Sequence, residues 1–110
     1  MDNANFLYFI NSTFRMLPDS DVQYGRIINI LLVNEFTISQ QSSILYYLSM
    51  ANSMGNMSSK VKNELVNITD KWQPAWHETI LNNSHNPNVK YFGNLTQLAE
   101  DLENVRSIIK

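Results

Sequence analysis

The stretch Thr37–Ile68, TISQQSSILYYLSMANSMGNMSSKVKNELVNI, decides how the chain is interpreted, because it holds two apolar patterns of helical spacing on either side of Gly55. Ser39 is a suitable N-cap for the first helix and Ser58 for the second. Gly55 is expected to end the first helix in the left-handed conformation. The stretch therefore predicts two helices joined by a turn, with serines, lysines and asparagines on the outer side of the second.

Two further helices are predicted before this pair. Phenylalanines and aliphatic residues recur at helical spacing over residues 5–17, and Pro18 ends that pattern. Ser20 and Gln23 match a capping box for a second helix over about residues 21–35. The middle of this second helix is apolar on all sides, which is typical of a central core helix.

The part of the chain after Ile68 predicts a change from helix to strand. Pro74 interrupts the helical pattern, and the segments HETIL (77–81) and VKYF (89–92) contain residues that are compatible with strands. The sequence NNSHNPN between them is a concentrated turn signal. We therefore expect a β-hairpin over residues 76–92, followed by a last helix over residues 94–110 with a heptad pattern of apolar residues.

Composition limits the classes of protein to consider. The chain has 110 residues, 44% of them apolar, and only three glycines and three prolines, which favours one mainly helical domain. The net charge of −2 means that any contact with nucleic acid must come from a local patch. Without cysteine there is no disulfide and no cysteine zinc site, and no apolar run is long enough to cross a membrane. We expect a cytoplasmic protein of a prokaryote or of a phage-infected cell.

A helix pair followed by a β-hairpin is the arrangement of a winged helix-turn-helix. Three segments carry a closer likeness: LPDSDVQYGRIINILLVNEFTISQQ, MSSKVKNELVNITDKW and NPNVKYFGNLTQLAEDL. In these segments the chain resembles the MarR family of transcription regulators, especially the short forms of phages and mobile elements. The resemblance implies a single domain, 1–110, that is mainly α with a small β-hairpin. Residues 21–72 would form the helix-turn-helix region, 76–92 the wing, and 5–17 with 94–110 the dimerisation helices.

The winged-helix arrangement predicts which side chains would contact double-stranded DNA. Serine and lysine suit phosphate oxygens, and asparagine can pair with the edge of an adenine in the major groove. The expected DNA-binding residues are Ser39, Gln40 and Gln41 on the third helix, Ser58, Ser59, Lys60, Lys62, Asn63 and Asn67 on the fourth, and His85, Asn86 and Lys90 in the wing. The plainer alternatives are an ordinary helix cap, a solvated helix face and a polar loop.

The first and last helices both carry apolar stripes that are expected to need covering. The resemblance implies a homodimer formed by these terminal helices, and two exposed stripes are well hidden by a two-fold copy. The residues expected at the dimer interface are Phe6, Phe9, Ile10, Phe14, Leu95, Leu98, Leu102, Val105 and Ile109. Pairing of the stripes within one chain is the alternative.

The sequence thus favours a dimeric, sequence-specific DNA-binding transcription regulator. The competing hypothesis is a small helical protein-interaction protein without DNA binding, such as a phage inhibitor of a host protein, an immunity protein, or a secretion-system subunit or chaperone. No arrangement of nucleophile, base and carboxylate indicates an enzyme, and His77, Glu78 and His85 do not have the spacing of a metal site. No cofactor is expected.

Overall fold

The computed structural model of the chain describes residues 1–84 and 92–109, with the side chains of residues 1–79 and 97–109. This part of the chain forms five helices and contains no strand. In chain order they are α1 (Asn3–Phe14), α2 (Asp21–Val33), α3 (Ile38–Ser53), α4 (Ser59–Ser84) and α5 (Phe92–Ile109).

The predicted helix ends are confirmed at α2, at the turn after α3 and at the start of α4. Ser20 and Gln23 form the capping box, since each side chain accepts a hydrogen bond from the backbone N–H of the other. Gly55 has φ +77°, and the N–H groups of Gly55 and Asn56 bond back to the last turn of α3, which is a Schellman motif. The Val61 N–H donates to Ser58 Oγ over 3.2 Å, so Ser58 caps α4.

The prediction of Ser39 as the cap of α3 is wrong by two residues. Thr37 is the N-cap, with Gln40 as the partner in a second capping box. Thr37 Oγ1 accepts from the Gln40 N–H over 3.1 Å, and Gln40 Oε1 accepts from the Thr37 N–H over 3.0 Å. Ser39 instead lies exposed in the first turn of the helix.

The predicted β-hairpin, and with it the winged helix, is wrong. α4 continues past Pro74 to Ser84, and Phe92 already belongs to α5. The residues expected to form the two strands are therefore helical wherever the structure describes them. Residues 85–91 of the expected wing lie outside the described residues. The fold class is therefore a bundle of α-helices in the described part of the chain.

Burial of Trp76 explains why the helix continues past a proline. A proline inside a helix costs about 3 kcal/mol, because it removes one backbone hydrogen bond and crowds the preceding turn. Trp76 lies one turn after Trp72 and is fully buried, and Pro74 itself is exposed on the outer side. Continuing the helix places a large aromatic side chain in the core, and tertiary packing outweighs the local preference.

The helices enclose one continuous apolar core to which all five contribute. α5 packs against α4 and α3, α2 packs against α4, and α1 packs against α3. Tyr24 is fully buried in this core, and its hydroxyl donates to the carbonyl of Pro18 over 2.9 Å. Burial, with a smaller contribution from the charge of Asp19, raises the pKa of Tyr24 to about 12.

The side chains expected at a dimer interface lie mostly inside this core. The buried ones are Phe6, Phe9, Ile10, Phe14, Leu102 and Ile109. Leu98 and Val105 are half-buried, and the side chain of Leu95 is outside the described residues. The chain's own helices thus cover the two terminal stripes, as the alternative of packing within one chain requires. A dimer through these side chains stays a prediction. Most of them are already packed in the core of one chain, so they have little surface left for contact with a second copy.

Candidate binding surfaces

The outer side of α4 carries most of the polar residues that were expected at DNA on this helix. Ser59, Lys60, Asn63 and Asn67 are exposed there, and Lys62 is half-buried. Ser58, also half-buried, donates from its hydroxyl to Asp21 Oδ1 over 3.1 Å. A carboxylate therefore lies beside the N-terminus of α4, where a nucleic-acid phosphate would be repelled by it.

Gln40 and Gln41 do not face solvent, although both were expected at DNA. They are buried, with exposed fractions of 4% and 7%. The Gln40 amide donates to the carbonyl of Met1 over 2.7 Å in addition to its role in the capping box. Both glutamines hold the fold together, and in this conformation neither is placed to contact DNA.

Gln41 links three parts of the fold, a structural role that was not predicted for it. Its Oε1 accepts a hydrogen bond from Trp76 Nε1 over 2.6 Å, and its Nε2 donates to the carbonyl of Phe36 over 3.0 Å. A signal was present in the sequence, because Gln41 lies on the same helical stripe as Ile44, Leu45 and Leu48. A polar residue on a buried stripe requires an internal partner.

α1 and α3 contain no charged residue along their whole lengths, which is unusual for helices that reach the surface. Their outer sides instead expose apolar and aromatic side chains. Leu7 is 60% exposed on α1, and Tyr46 and Met50 are 59% and 39% exposed on α3.

A groove runs between these two helices. It is lined by Ile10, Asn11, Phe14, Arg15 and Tyr47. The rings of Phe14 and Tyr47 are stacked with centroids 5.2 Å apart, and Tyr46 meets Tyr47 edge to face at 5.6 Å. We call the set Leu7, Asn11, Arg15, Tyr46, Tyr47 and Met50 the α1–α3 face. Arg15, directly after α1, is its one charged member.

A second groove lies between α2 and α4. Ile28 and Leu32 line it from α2, and Glu64, Asn67, Ile68 and Lys71 line it from α4. Ile28 and Ile68 form a buried floor, whereas Leu32 is 56% exposed at the rim. We call this set of six residues the α2–α4 groove.

The remaining predicted residues and sites can be placed only in part. His85, Asn86 and Lys90, expected in the wing, lie outside the described residues. His77 lies against Glu103 of α5 and so takes part in packing α4 on α5.

In the part of the chain that the structure describes, no three histidine or acidic side chains come together in a way that could hold a metal ion. None of the described helices combines the length and the apolar character needed to cross a membrane.

No protein-family model, characterised protein or solved structure shows significant similarity to the chain. The resemblance to the MarR family therefore remains a prediction from the sequence. The helical course of residues 77–84 removes the wing on which part of that resemblance depended.

Proposed function

We propose that this protein acts by binding a partner protein through the α1–α3 face. The observation that carries the proposal is the absence of charge on α1 and α3 together with the exposure of Leu7, Tyr46 and Met50. Charged residues are depleted in the centres of protein interfaces, and tyrosine, methionine and arginine are enriched there. Tyrosine and methionine also supply a large contact area at a surface that must adapt to its partner.

The shape and charge of the face define the partner that fits it. A groove between two helices suits an amphipathic helix, whose apolar side chains at helical spacing would pack on Phe14 and Tyr47. Arg15 at one end of the groove favours a carboxylate on the partner helix at that end. The partner is thus a protein that presents an apolar helix face with an acidic residue near one end.

Binding to double-stranded DNA is the second candidate, and one observation favours it. Ser59, Lys60, Asn63 and Asn67 remain exposed on one side of α4. Against it stand the internal hydrogen bonds of Gln40 and Gln41 and the position of Asp21 at the start of α4. Partner-protein binding is the function that the arrangement of side chains supports better.

The test compares two double variants with equal changes of charge. Tyr46→Glu with Met50→Glu places two carboxylates on the α1–α3 face, whereas Met16→Glu with Val22→Glu places them at exposed apolar positions elsewhere. A polypeptide from the source cell that binds the wild type is identified, purified and titrated by calorimetry against the wild type and both double variants. We expect Tyr46→Glu with Met50→Glu to weaken binding of the partner at least tenfold, because burying an unpaired carboxylate in an interface is costly. The control should change the affinity by no more than about twofold.

Two results would overturn the proposal. One is a partner that binds both double variants as tightly as the wild type. The other is salt-sensitive binding to a DNA duplex that Lys60→Glu with Lys62→Glu abolishes while Tyr46→Glu with Met50→Glu leaves it intact, because this would establish DNA binding through α4 instead.

A further inference from the structure

The outer side of α4 carries charges of alternating sign, and its inner pair is self-complementary when the helix is read backwards. Lys60, Glu64, Lys71 and Glu78 fall on one side of the helix, at spacings of four, seven and seven residues, and they alternate in sign. The two inner residues, Glu64 and Lys71, line the α2–α4 groove at a separation of about 10 Å along the helix axis.

A second α4 running antiparallel would meet this pattern with opposite charges. Glu64 of one chain would lie opposite Lys71 of the other, with Asn67 close to the two-fold axis. The outer charges Lys60 and Glu78 would be offset from each other by about 4.5 Å along the helix. A two-fold interface needs this kind of self-complementary patch, in which residue i contacts residue j and j contacts i. An unrelated partner would have to supply the matching pattern independently.

Gly25 leaves room for another helix to approach beside the groove. It lies in the second turn of α2, one and two turns before Ile28 and Leu32 and on the same side of the helix, just outside the residues that line the groove. A side chain added at Gly25 would meet no atom of the chain within 4 Å, so packing inside the monomer does not require glycine there. Glycine inside a helix costs about 0.5–1 kcal/mol relative to alanine, and close backbone approach by a neighbour is a physical reason to keep it.

The exposed rim of the groove supplies the apolar contact that such a dimer needs. Leu32 is 56% exposed and stands over the buried floor of Ile28 and Ile68. From the charge pattern, the glycine and this rim together, we propose that a second copy of the chain docks on the α2–α4 groove and forms an antiparallel, two-fold homodimer through α2 and α4. This surface is separate from the α1–α3 face, so the dimer leaves the proposed partner site open.

Charge reversal at the two inner positions tests the arrangement directly. In sedimentation equilibrium over a range of concentrations, we expect the wild type to reach the mass of a dimer. Glu64→Lys and Lys71→Glu should each weaken the dimer about tenfold or more, because each creates two like-charge contacts across the axis. The double variant Glu64→Lys with Lys71→Glu should regain the wild-type affinity, and a mixture of the two single variants should form a heterodimer.

Two further variants separate docking from folding. Glu100→Lys makes the same change of charge at an exposed position on α5 and should leave the dimer unchanged. Gly25→Met should keep or raise the free energy of unfolding of the monomer, as the site has open space, but should weaken the dimer. A wild type that stays monomeric at every concentration would overturn the proposal, and so would a dimer that neither single charge reversal weakens. If this test fails, the proposal that the α1–α3 face binds a partner is unaffected. If the test of the α1–α3 face fails, the dimer proposal is unaffected.

Discussion

At the scale of single residues, Gln41 has the clearest role in the fold. Its side chain satisfies the buried N–H of Trp76 in α4 and the carbonyl of Phe36 before α3 at the same time. A buried donor or acceptor that loses its partner costs about 1–3 kcal/mol, whereas a surface side chain can be removed almost freely. The same residue was expected at DNA on the basis of its position near the start of a helix, so its substitution distinguishes a structural role from a binding role.

We predict that Gln41→Ala lowers the free energy of unfolding by about 2–4 kcal/mol, because it leaves the buried N–H of Trp76 and the part-buried carbonyl of Phe36 unpaired and opens a small cavity. Urea denaturation followed by tryptophan fluorescence measures this change. Ser39→Ala, two residues away and exposed, is the control and should change the stability by less than about 0.5 kcal/mol. Equal, small effects of the two substitutions would show that the hydrogen bond to Trp76 contributes nothing.

At the scale of secondary structure, the sequence predicted all five helices and misjudged the region after Pro74. Caps and turns depend on local chemistry, so the sequence could predict the capping residues Ser20, Gln23 and Ser58 and the turn at Gly55. The course of α4 past Pro74 could not be predicted from the sequence, because it depends on the packing of Trp76 in the core against residues distant in sequence. Of the candidate site residues on α4, Ser59, Lys60, Asn63 and Asn67 are exposed. The burial of Gln40 and Gln41 again depended on distant partners.

Pro74 allows a test of this helical course. We predict that Pro74→Ala raises the free energy of unfolding by about 1–2 kcal/mol, because alanine restores a backbone donor to the carbonyl of Asp70, one turn earlier, and removes the crowding of the ring. Part of that gain is offset by the greater freedom of the unfolded chain. If residues 75–84 formed a strand and turn, the substitution would give no such gain.

Asn63→Ala is the control for helix propensity alone. Asn63 is exposed on the same helix, in a turn without proline, so its replacement should add no more than about 0.7 kcal/mol. Thermal and urea unfolding of the two variants beside the wild type measure the difference. A Pro74→Ala variant that is less stable than the Asn63→Ala variant would contradict the helical path through position 74.

At the scale of the whole molecule, α5 completes the bundle by packing on both α3 and α4. Ala99, Leu102 and Ile109 of α5 are fully buried or nearly so. Arg106 is also buried, and its guanidinium pairs with the carboxylate of Asp70 on α4, which is half exposed. A buried cation is tolerated only when it is paired, so this contact makes the position of α5 depend on a charge carried by another helix.

We predict that Asp70→Asn lowers the free energy of unfolding by about 1–3 kcal/mol, because the cation of Arg106 stays buried without its counter-charge. Adding Arg106→Met to that variant should recover at least half of the loss, since an apolar side chain of similar length needs no partner in the core. Asp101→Asn removes the same charge from an exposed position of α5 and should cost less than about 0.5 kcal/mol. Urea denaturation of the three variants and the wild type measures these differences. If Asp70→Asn behaves like Asp101→Asn, the pairing of α4 with α5 rests on apolar packing alone, and the ion pair contributes no stability.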